Sequence, residues 1–312
     1  ELFSSSTREK VGELYAVGQP FVSVQVVHGQ RHPRVQGFSF PTMGDPRASY
    51  AIEFEAQGQA ALPRWEVRTR DFLLNERGVT PFNAEWRTFY GEKPVRYLID
   101  RPADAGLEEA VIVFSAVNPK YDFTYNYRSS FADYRGTVIY VLDDFGDQGS
   151  YYLANNRDFA EFRSVQAALR SIVHDLGIPM SKVYTFGSSK GGAGALLHGV
   201  SLGVNTVFMG APQYKIGLFT KNPHPNILNY VAGGTTISDV NWLDSVGKRI
   251  LQSGCRHTKL VLLVGEADGH YKYHAVPLID DARSEGYKAD LLALPGTKHS
   301  ELGAACKKLV HS

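Results

Sequence analysis

The pattern of apolar and polar positions changes about one third of the way along the chain. Before residue 100, apolar and polar residues alternate in short runs at residues 22–27, 50–55 and 65–70, separated by clusters of Gly, Pro and Asp. Alternation with a period of two is typical of strands with one buried face, so this region predicts antiparallel strands. The first twenty residues carry a short amphipathic pattern and predict an N-terminal helix or arm.

After residue 101 the pattern becomes one of alternating strands and helices. Six segments are short and almost entirely apolar, as expected of strands that are buried on both faces. They are residues 110–114, 137–142, 182–186, 205–209, 259–264 and 289–294. Between the second and third of them, apolar residues recur three or four apart over residues 159–176, which predicts a helix. The alternation predicts an α/β fold with a mostly parallel, doubly wound sheet.

Composition and charge exclude several classes of protein. The 312 residues are 43% hydrophobic and 21% charged, which is typical of a globular chain with a sizeable core. Thirty-three Lys and Arg balance thirty-two Asp and Glu, so no basic excess favours nucleic acid as a partner. The longest apolar runs have strand length, so no membrane span is predicted, and no signal region is visible, which favours a cytoplasmic location. Cys255 and Cys306 fit isolated thiols better than one bridge.

Residues 183–197 carry the clearest chemical signal. An apolar strand runs into Gly-Ser-Ser-Lys-Gly at residues 187–191 and then into a helix of small residues, which matches the G-x-S-x-G pattern of a nucleophile at a strand-to-helix turn. Such a turn holds Ser189 above the sheet, and the glycines two positions before and after it leave room for the chain. The alternative is a glycine-rich turn without chemistry. A Walker-type phosphate loop is excluded, because Lys190 precedes Gly191 and no Ser or Thr follows.

The remaining parts of a serine site follow in the order acid, then histidine. Asp268 lies in a turn just after an apolar strand, with Glu266 as its nearest rival, and His299 lies between the last predicted strand and the last helix. The other histidines lie in less suitable places; His270 and His274 are set aside because they are too near the acid turn. That pair lacks a third ligand in the sequence between them, so no metal site is predicted.

An oxyanion hole would need two amide donors near Ser189. The amide of Lys190 lies at the N-terminus of the predicted helix, where unpaired amides and the helix dipole favour negative charge. The second donor is expected from the loop after residues 110–114, and we choose the amide of Ala116. A cationic Lys190 side chain at a helix start predicts a compensating partner, which is either Asp143 or Asp144, or else an anionic group of a substrate.

Residues 94–312 resemble the α/β-hydrolase superfamily, with Ser189 at the nucleophile elbow, Asp268 at the acid turn and His299 at the histidine loop. The resemblance implies an α/β-hydrolase fold and a serine hydrolase or acyltransferase without metal or organic cofactor. The Ser-Lys-Gly-Gly run at residues 189–192, together with Gly-Ala-Pro-Gln at residues 210–213, is similar to bacterial α/β-hydrolases linked to capsule or surface-glycan biosynthesis. The lysine between Ser189 and Gly191 also resembles the motif of certain bacterial serine aminopeptidases.

The predicted domains follow from this match. Residues 1–93 form an N-terminal arm and a small β-rich module, part of which is expected to supply edge strands to the sheet. Residues 94–312 form the catalytic domain, with an insertion at about residues 211–258 that is long enough to cover the site as a lid. In this insertion Tyr214 and Trp242 are candidate substrate-binding residues; the alternative is that its aromatics form a core of the insertion itself.

The sequence thus predicts a serine hydrolase or acyltransferase that acts through an acyl-enzyme on a carboxylic ester. Its partner would be a small-molecule or glycan ester, with an O-acylated glycan as the leading candidate. Two alternatives stay open: a serine peptidase of α/β-hydrolase type, and a binding module that keeps the scaffold without activity. The ester is preferred over a peptide because no acidic pair near the insertion is evident to hold a peptide amino terminus. The sequence carries no signal for the oligomeric state.

Overall fold

A computed structural model describes residues 2–4, 10–12, 50–52, 85–101, 108–120, 123–302 and 305–306. The chain divides into two compact units, one made of residues 1–78 with 119–122, and the other of residues 79–118 with 123–312. Each unit contains its own sheet.

The first unit contains a three-stranded antiparallel sheet. Its strands are β1 (Leu2–Ser4), β2 (Lys10–Gly12) and β3 (Tyr50–Ile52), in the order β2-β1-β3. Strand β3 lies within the alternating run at residues 50–55. Strands β1 and β2 lie within the first twenty residues, for which the sequence predicted a helix or an arm. The other strands predicted in this region, at residues 22–27 and 65–70, lie outside the described residues.

The second unit is built on an eight-stranded sheet in the order β11-β10-β9-β8-β6-β7-β5-β4. The six strands predicted from their apolar runs are all present as parallel neighbours. Strands β6 and β7 are buried on both faces, whereas β11 lies at the edge of the sheet and is mostly half-buried or exposed. The strands are β4 (Glu85–Tyr90), β5 (Pro94–Asp100), β6 (Ala110–Phe114), β7 (Thr137–Val141), β8 (Val183–Ser188), β9 (Thr206–Gly210), β10 (Lys259–Gly265) and β11 (Ala289–Leu294).

The sheet begins inside the region that the sequence assigned to the N-terminal module. Strand β4 pairs with β5 as an antiparallel hairpin, with Glu85 opposite Ile99 and Tyr90 opposite Pro94, and β5 in turn pairs antiparallel with β7. A boundary at residue 93 would separate the two strands of this hairpin. The expectation that part of the β-rich region supplies edge strands is thus confirmed.

The helices of the second unit connect its parallel strands. They are α1 (Ala160–Asp175), α2 (Lys190–Leu202), α3 (Ile216–Thr220), α4 (Pro225–Ala232), α5 (Ile237–Ser253) and α6 (Val276–Ser284). Helices α3 to α5 occupy the segment that was predicted as an insertion, and α5 begins at a capping box in which Thr236 and Asp239 exchange hydrogen bonds. A π-helical turn, Tyr271–Ala275, leads directly into α6, and a 3₁₀ turn, His299–Glu301, follows β11.

Two apolar clusters hold the second unit together. The larger one surrounds the sheet, and the fully buried strands β6 and β7 lie at its centre. The smaller one joins the loop after β7 to α2, α4 and α5, through side chains that include Tyr151, Leu197, Leu228 and Leu243. Cys255 and Cys306 are both free thiols, as the sequence suggested. Among the described residues, no helix combines the length and apolarity that crossing a bilayer requires.

Candidate active site

Ser189 is the single residue between the end of β8 and the start of α2. Its backbone adopts φ 54° and ψ −118°, a left-handed conformation that is uncommon for a residue with a side chain. A Cβ atom on Gly187 would overlap the carbonyl oxygen of Gly191, and a Cβ on Gly191 would overlap the carbonyl oxygen of Phe114. The two glycines are therefore required by close backbone contacts, which is the reason that the G-x-S-x-G pattern gave for them.

The Oγ of Ser189 accepts a hydrogen bond from the Nε2 of Gln213 at 2.6 Å. The backbone of the turn is tied to the same segment, because Ser189 N donates to Gly210 O at 2.8 Å and Gln213 N donates to Ser189 O at 3.2 Å. Gln213 is 1% exposed, and its Oε1 accepts from the hydroxyl of Tyr151. Sequence reasoning missed Gln213. The feature that could have identified it is its position in the sequence, just after the end of β9, the strand that neighbours the nucleophile strand β8.

Asp268 and His299 form the pair that the sequence predicted. The Nδ1 of His299 donates to Asp268 Oδ2 at 2.6 Å. Both residues follow the carboxyl ends of parallel strands, Asp268 after β10 and His299 after β11, which places them at the same edge of the sheet as Ser189. The rival acid, Glu266, is exposed and has no side-chain hydrogen bond among those of the described residues.

The second carboxylate oxygen of Asp268 is held by His270. Asp268 Oδ1 accepts from both the backbone N and the ring Nδ1 of His270, each at 2.9 Å. Burial alone would raise the pKa of Asp268, but the hydrogen bonds from His270 and His299 outweigh it and leave the pKa below its usual value. Asp268 is therefore held as a carboxylate, which is the state that can orient a histidine base.

The sequence analysis set His270 aside as a base, but the structure places it in direct contact with Asp268 and His299. Its ring stacks on His299 with centroids 4.3 Å apart and lies 4.9 Å from the ring of His274. Burial is the main cause that lowers the pKa of His270, against the attraction of Asp268, and it lowers the pKa of His274 to about 4. Both rings are thereby held neutral near pH 7. His274 Nδ1 accepts from the backbone N of Lys215 at 3.1 Å.

Asp268, His270 and His299 each offer a ligand atom within 4.8 Å of the others, which is close enough for a metal ion. Hydrogen bonds within the group already explain this geometry. Both carboxylate oxygens and both Nδ1 atoms are paired with one another. We therefore interpret the cluster as an acid with two histidine partners.

Lys190 is buried and ion-paired. Its Nζ lies 2.6 Å from Asp143 Oδ2 and 5.1 Å from the centroid of the Tyr152 ring. The other oxygen of Asp143 accepts from Ser150 N at 2.9 Å. The predicted ion pair with Asp143 is confirmed, and Asp144 pairs with Arg96 instead. A side chain held in this way is not available for an anionic group of a substrate.

The two predicted oxyanion donors have different surroundings. The amide of Lys190 is the first of α2, where helical amides have no partner within the helix. The amide of Ala116 donates to Asn126 Oδ1 at 2.8 Å, and the amide of Ser115 donates to the hydroxyl of Tyr152 at 2.7 Å. Ala116 could serve an oxyanion only if Asn126 released it.

Tyr214 and Trp242 have the contacts of packing residues. Tyr214 is 2% exposed, and its hydroxyl donates to Asp281 Oδ2 at 2.8 Å. Trp242 packs against the smaller apolar cluster, with its ring 5.9 Å from that of Phe159. These contacts favour the alternative in which aromatics stabilise the insertion, and the substrate-binding role of Tyr214 and Trp242 stays a prediction. Phe219 is an aromatic residue of the insertion that lies near the acid turn, with its ring 5.6 Å from that of His270.

Comparison with known proteins was made at the level of sequence and of structure. Neither the protein-family models nor the curated proteins give a match to this chain. Among solved structures, the capsule O-acetyltransferase of Neisseria meningitidis serogroup A matches with a TM-score of 0.63 and 21% identity, over 75% of this chain and 96% of that one. This chain has the α/β-hydrolase fold.

Two further structures with the same fold extend the comparison. A histidine-to-alanine variant of that O-acetyltransferase in complex with CoA matches with a TM-score of 0.61 and 21% identity, over 73% of this chain and 93% of that one. Carboxyl esterase 2 of Tuber melanosporum matches with a TM-score of 0.54 and 13% identity, over 74% of this chain and 86% of that one. At such identities the similarity establishes the α/β-hydrolase fold and leaves the chemistry to be argued from the site.

Proposed function

We propose that this chain is a serine esterase or O-acyltransferase that works through an acyl-enzyme on Ser189. The observation that carries the proposal is the hydrogen bond of 2.6 Å between His299 and Asp268, at the same sheet edge as a strained serine turn. The chain order of serine, acid and histidine is the one that α/β-hydrolases use. The fold shared with an O-acetyltransferase and an esterase supports an acyl group as the group that is transferred to Ser189.

The proposed reaction begins with a proton transfer. His299 Nε2 takes the proton of Ser189 Oγ as this oxygen attacks the acyl carbonyl, and Asp268 stabilises the imidazolium that forms. The amide of Lys190 donates to the oxyanion of the tetrahedral intermediate. When the intermediate collapses, His299 returns the proton to the leaving oxygen or sulfur. Water or a sugar hydroxyl then gives its proton to His299 and attacks the acyl-enzyme. As the second tetrahedral intermediate collapses, His299 passes this proton to Ser189 Oγ, which restores the free serine.

The structure without substrate lacks one contact of this mechanism, the hydrogen bond between Ser189 and His299. Ser189 Oγ accepts from Gln213, and among the hydrogen bonds of the described residues none joins it to His299. The side chain of His299 is 45% exposed, so a bound substrate can contact it and exclude water from the gap. Catalytic hydrogen bonds of this kind often tighten only when substrate is bound.

A fluorophosphonate probe followed by mass spectrometry tests the nucleophile. We expect one adduct, on Ser189, and we expect Ser189→Ala to lose the adduct and about 10³-fold or more in turnover of p-nitrophenyl acetate. Ser188→Ala is the matched control, because Ser188 is the neighbouring serine and its hydroxyl accepts a hydrogen bond from Tyr127. Absence of an adduct on Ser189 in the folded protein would contradict the proposal and favour a binding module.

A substrate panel separates the open activities. With p-nitrophenyl esters we expect turnover, and with aminoacyl p-nitroanilides we expect none; the opposite result would identify a peptidase. Adding an oligosaccharide with acetyl-CoA or p-nitrophenyl acetate, and weighing the sugar product by mass spectrometry, distinguishes transfer from hydrolysis. We propose a sugar hydroxyl as acceptor because the O-acetyltransferase with this fold acts on a capsule and has been solved with CoA.

A further inference from the structure

Gln213 is a buried side chain that touches the proposed nucleophile and that the mechanism above does not use. We propose that Gln213 is a further catalytic residue, which donates through Nε2 to Ser189 Oγ, and that Tyr151 is the positioning residue that holds its amide. The inference rests on the proposed function, because a donor to this oxygen matters only if the oxygen reacts. The contacts that carry it are the two ends of the Gln213 amide.

The orientation of this amide is fixed by Tyr151. The Tyr151 hydroxyl donates to Gln213 Oε1, which leaves the NH₂ group of the amide facing Ser189. Burial raises the pKa of Tyr151 well above its usual value, so the hydroxyl keeps the proton that it donates to Gln213 Oε1. The reversed orientation would make Ser189 donate to Oε1 and would direct its proton away from His299. A working site therefore needs the orientation observed.

The segment that carries Tyr151 is itself held in an unusual shape. Tyr151 and Tyr152 adopt left-handed backbone conformations with φ 60° and 56°, next to Gly149 with φ 89°. A Cβ on Gly149 would press on both Asp143 and Lys190, so the buried ion pair packs directly under this segment. Strained backbone of this kind persists where the surroundings determine it and is concentrated at functional sites. Tyr151 is 0% exposed within the smaller apolar cluster, so packing holds its ring and keeps the hydroxyl directed at Gln213.

The chemical effect follows from where charge develops. A hydrogen bond accepted by Oγ leaves the hydroxyl hydrogen of Ser189 free for His299, and it becomes stronger as Oγ gains negative charge during proton transfer. The amides of Ser115 and Ala116 are engaged by Tyr152 and Asn126. Gln213 therefore adds a donor at the nucleophile oxygen itself, separate from the amide of Lys190.

Kinetics of four variants test the assignment, measured on p-nitrophenyl acetate and as the rate of fluorophosphonate inactivation. We expect Gln213→Leu to lower kcat about 10²-fold with little change in KM, as for loss of a donor to a reacting oxygen. Gln213→Glu should be at least as slow, because it keeps the shape and replaces the donor with an acceptor. Tyr151→Phe should have a smaller effect, and combining it with Gln213→Leu should add nothing. Wild-type rates in Gln213→Glu would overturn the proposal, and additive effects in the double variant would overturn the positioning role.

Matched controls separate catalysis from packing. Gln166→Leu removes another hydrogen-bonded glutamine, one that contacts His198 on α2, and Tyr287→Phe removes another buried tyrosine hydroxyl. Both should leave kcat and inactivation rates near those of the wild type. If Gln213→Leu does not fold, the kcat of Tyr151→Phe is compared with that of Tyr287→Phe, since each variant loses one oxygen atom. A lower kcat for Tyr151→Phe alone supports the proposal, and equal kcat values contradict it. If the wild-type protein forms no adduct on Ser189, the proposed function is contradicted. If the wild type is labelled and the Gln213 and Tyr151 variants react as fast as it does, only the inference about Gln213 is contradicted.

Discussion

Two histidines share the carboxylate of Asp268, and they compete for the role of base. His299 donates to Oδ2 and is half-exposed, whereas His270 donates to Oδ1 and its Nε2 is buried with no hydrogen-bond partner among the described residues. A base must exchange protons with a substrate, so we assign the role to His299. In the proposed mechanism, the stacked His270 orients Asp268 and stays neutral while His299 gains charge.

This assignment predicts unequal effects of the two histidine substitutions. We expect His299→Ala to lower kcat about 10³-fold or more, because the proton acceptor is lost. His270→Ala should lower kcat much less, since its backbone N still donates to Asp268 and His299 keeps its own hydrogen bond. Esterase kinetics and the rate of Ser189 labelling measure both. The reverse order would make His270 the base.

The residues that sequence reasoning found and missed differ in how they are encoded. Ser189, Asp268 and His299 are marked by their positions at strand ends and by a local motif, both of which can be read along the chain. Gln213 acts through a side-chain direction that depends on Tyr151, a residue on a different loop. His270 could not be predicted because it leads into a π-helical turn, a rare element without a reliable sequence pattern.

At the scale of elements, the buried strands were the most predictable part of the fold. The ends of β6 agree with the apolar run to the residue, because a run that is buried on both faces has sharp polar borders. The ends of β11 agree as well, although this edge strand is mostly half-buried or exposed. The segment at residues 211–258 was predicted only as an insertion. Its division into α3, α4 and α5 depends on packing against α2 and the loop after β7, which no local pattern records.

The turn at the start of α2 depends on the ion pair beneath it. Lys190→Met would leave Asp143 as an uncompensated buried charge, which typically costs about 3–5 kcal/mol in the free energy of unfolding. Lys259→Met is the matched control, because Lys259 pairs with Asp290 at 2.8 Å on the surface and such pairs contribute about 0–1 kcal/mol. Urea unfolding measures both variants.

The kinetic outcome of the same variant tests the role of the lysine side chain. Where Lys190→Met remains folded, we expect its KM to change equally for anionic and neutral substrates, because the side chain is occupied by Asp143. A selective rise in KM for anionic substrates would show that Lys190 contacts them. Equal stability of the Lys190 and Lys259 variants would contradict the buried-pair interpretation.

At the scale of the whole second unit, the two apolar clusters meet at buried polar residues. Tyr230 on α4 donates to Glu161 on α1 at 2.7 Å, and Glu161 is 1% exposed. His198 on α2 bonds to Gln166 on α1 and to Tyr152 O. The helices around the smaller cluster are thus joined by groups whose protonation affects folding. The sequence shows these residues as ordinary members of helical patterns and gives no sign of their burial.

Glu161 makes the stability of the protein depend on pH in a specific direction. Burial is the main cause that raises its pKa from 4.5 to about 7, so the folded state holds a proton that the unfolded state releases. Its contribution is fully present below pH 4.5 and is lost as pH rises through about 7, with a slope of at most about 1 kcal/mol per pH unit. Glu161→Gln keeps an acceptor for Tyr230 and removes the titration.

We therefore expect the stability of Glu161→Gln, relative to the wild type, to rise between pH 4.5 and pH 7 and to level off above that range. Urea unfolding at closely spaced pH values measures the difference. His198 has a pKa lowered to about 3 by burial and weakens both proteins alike as pH falls below 6.5, so it cancels in the comparison. A Glu161→Gln curve that runs parallel to that of the wild type throughout this range would mean that folding does not raise the pKa of Glu161.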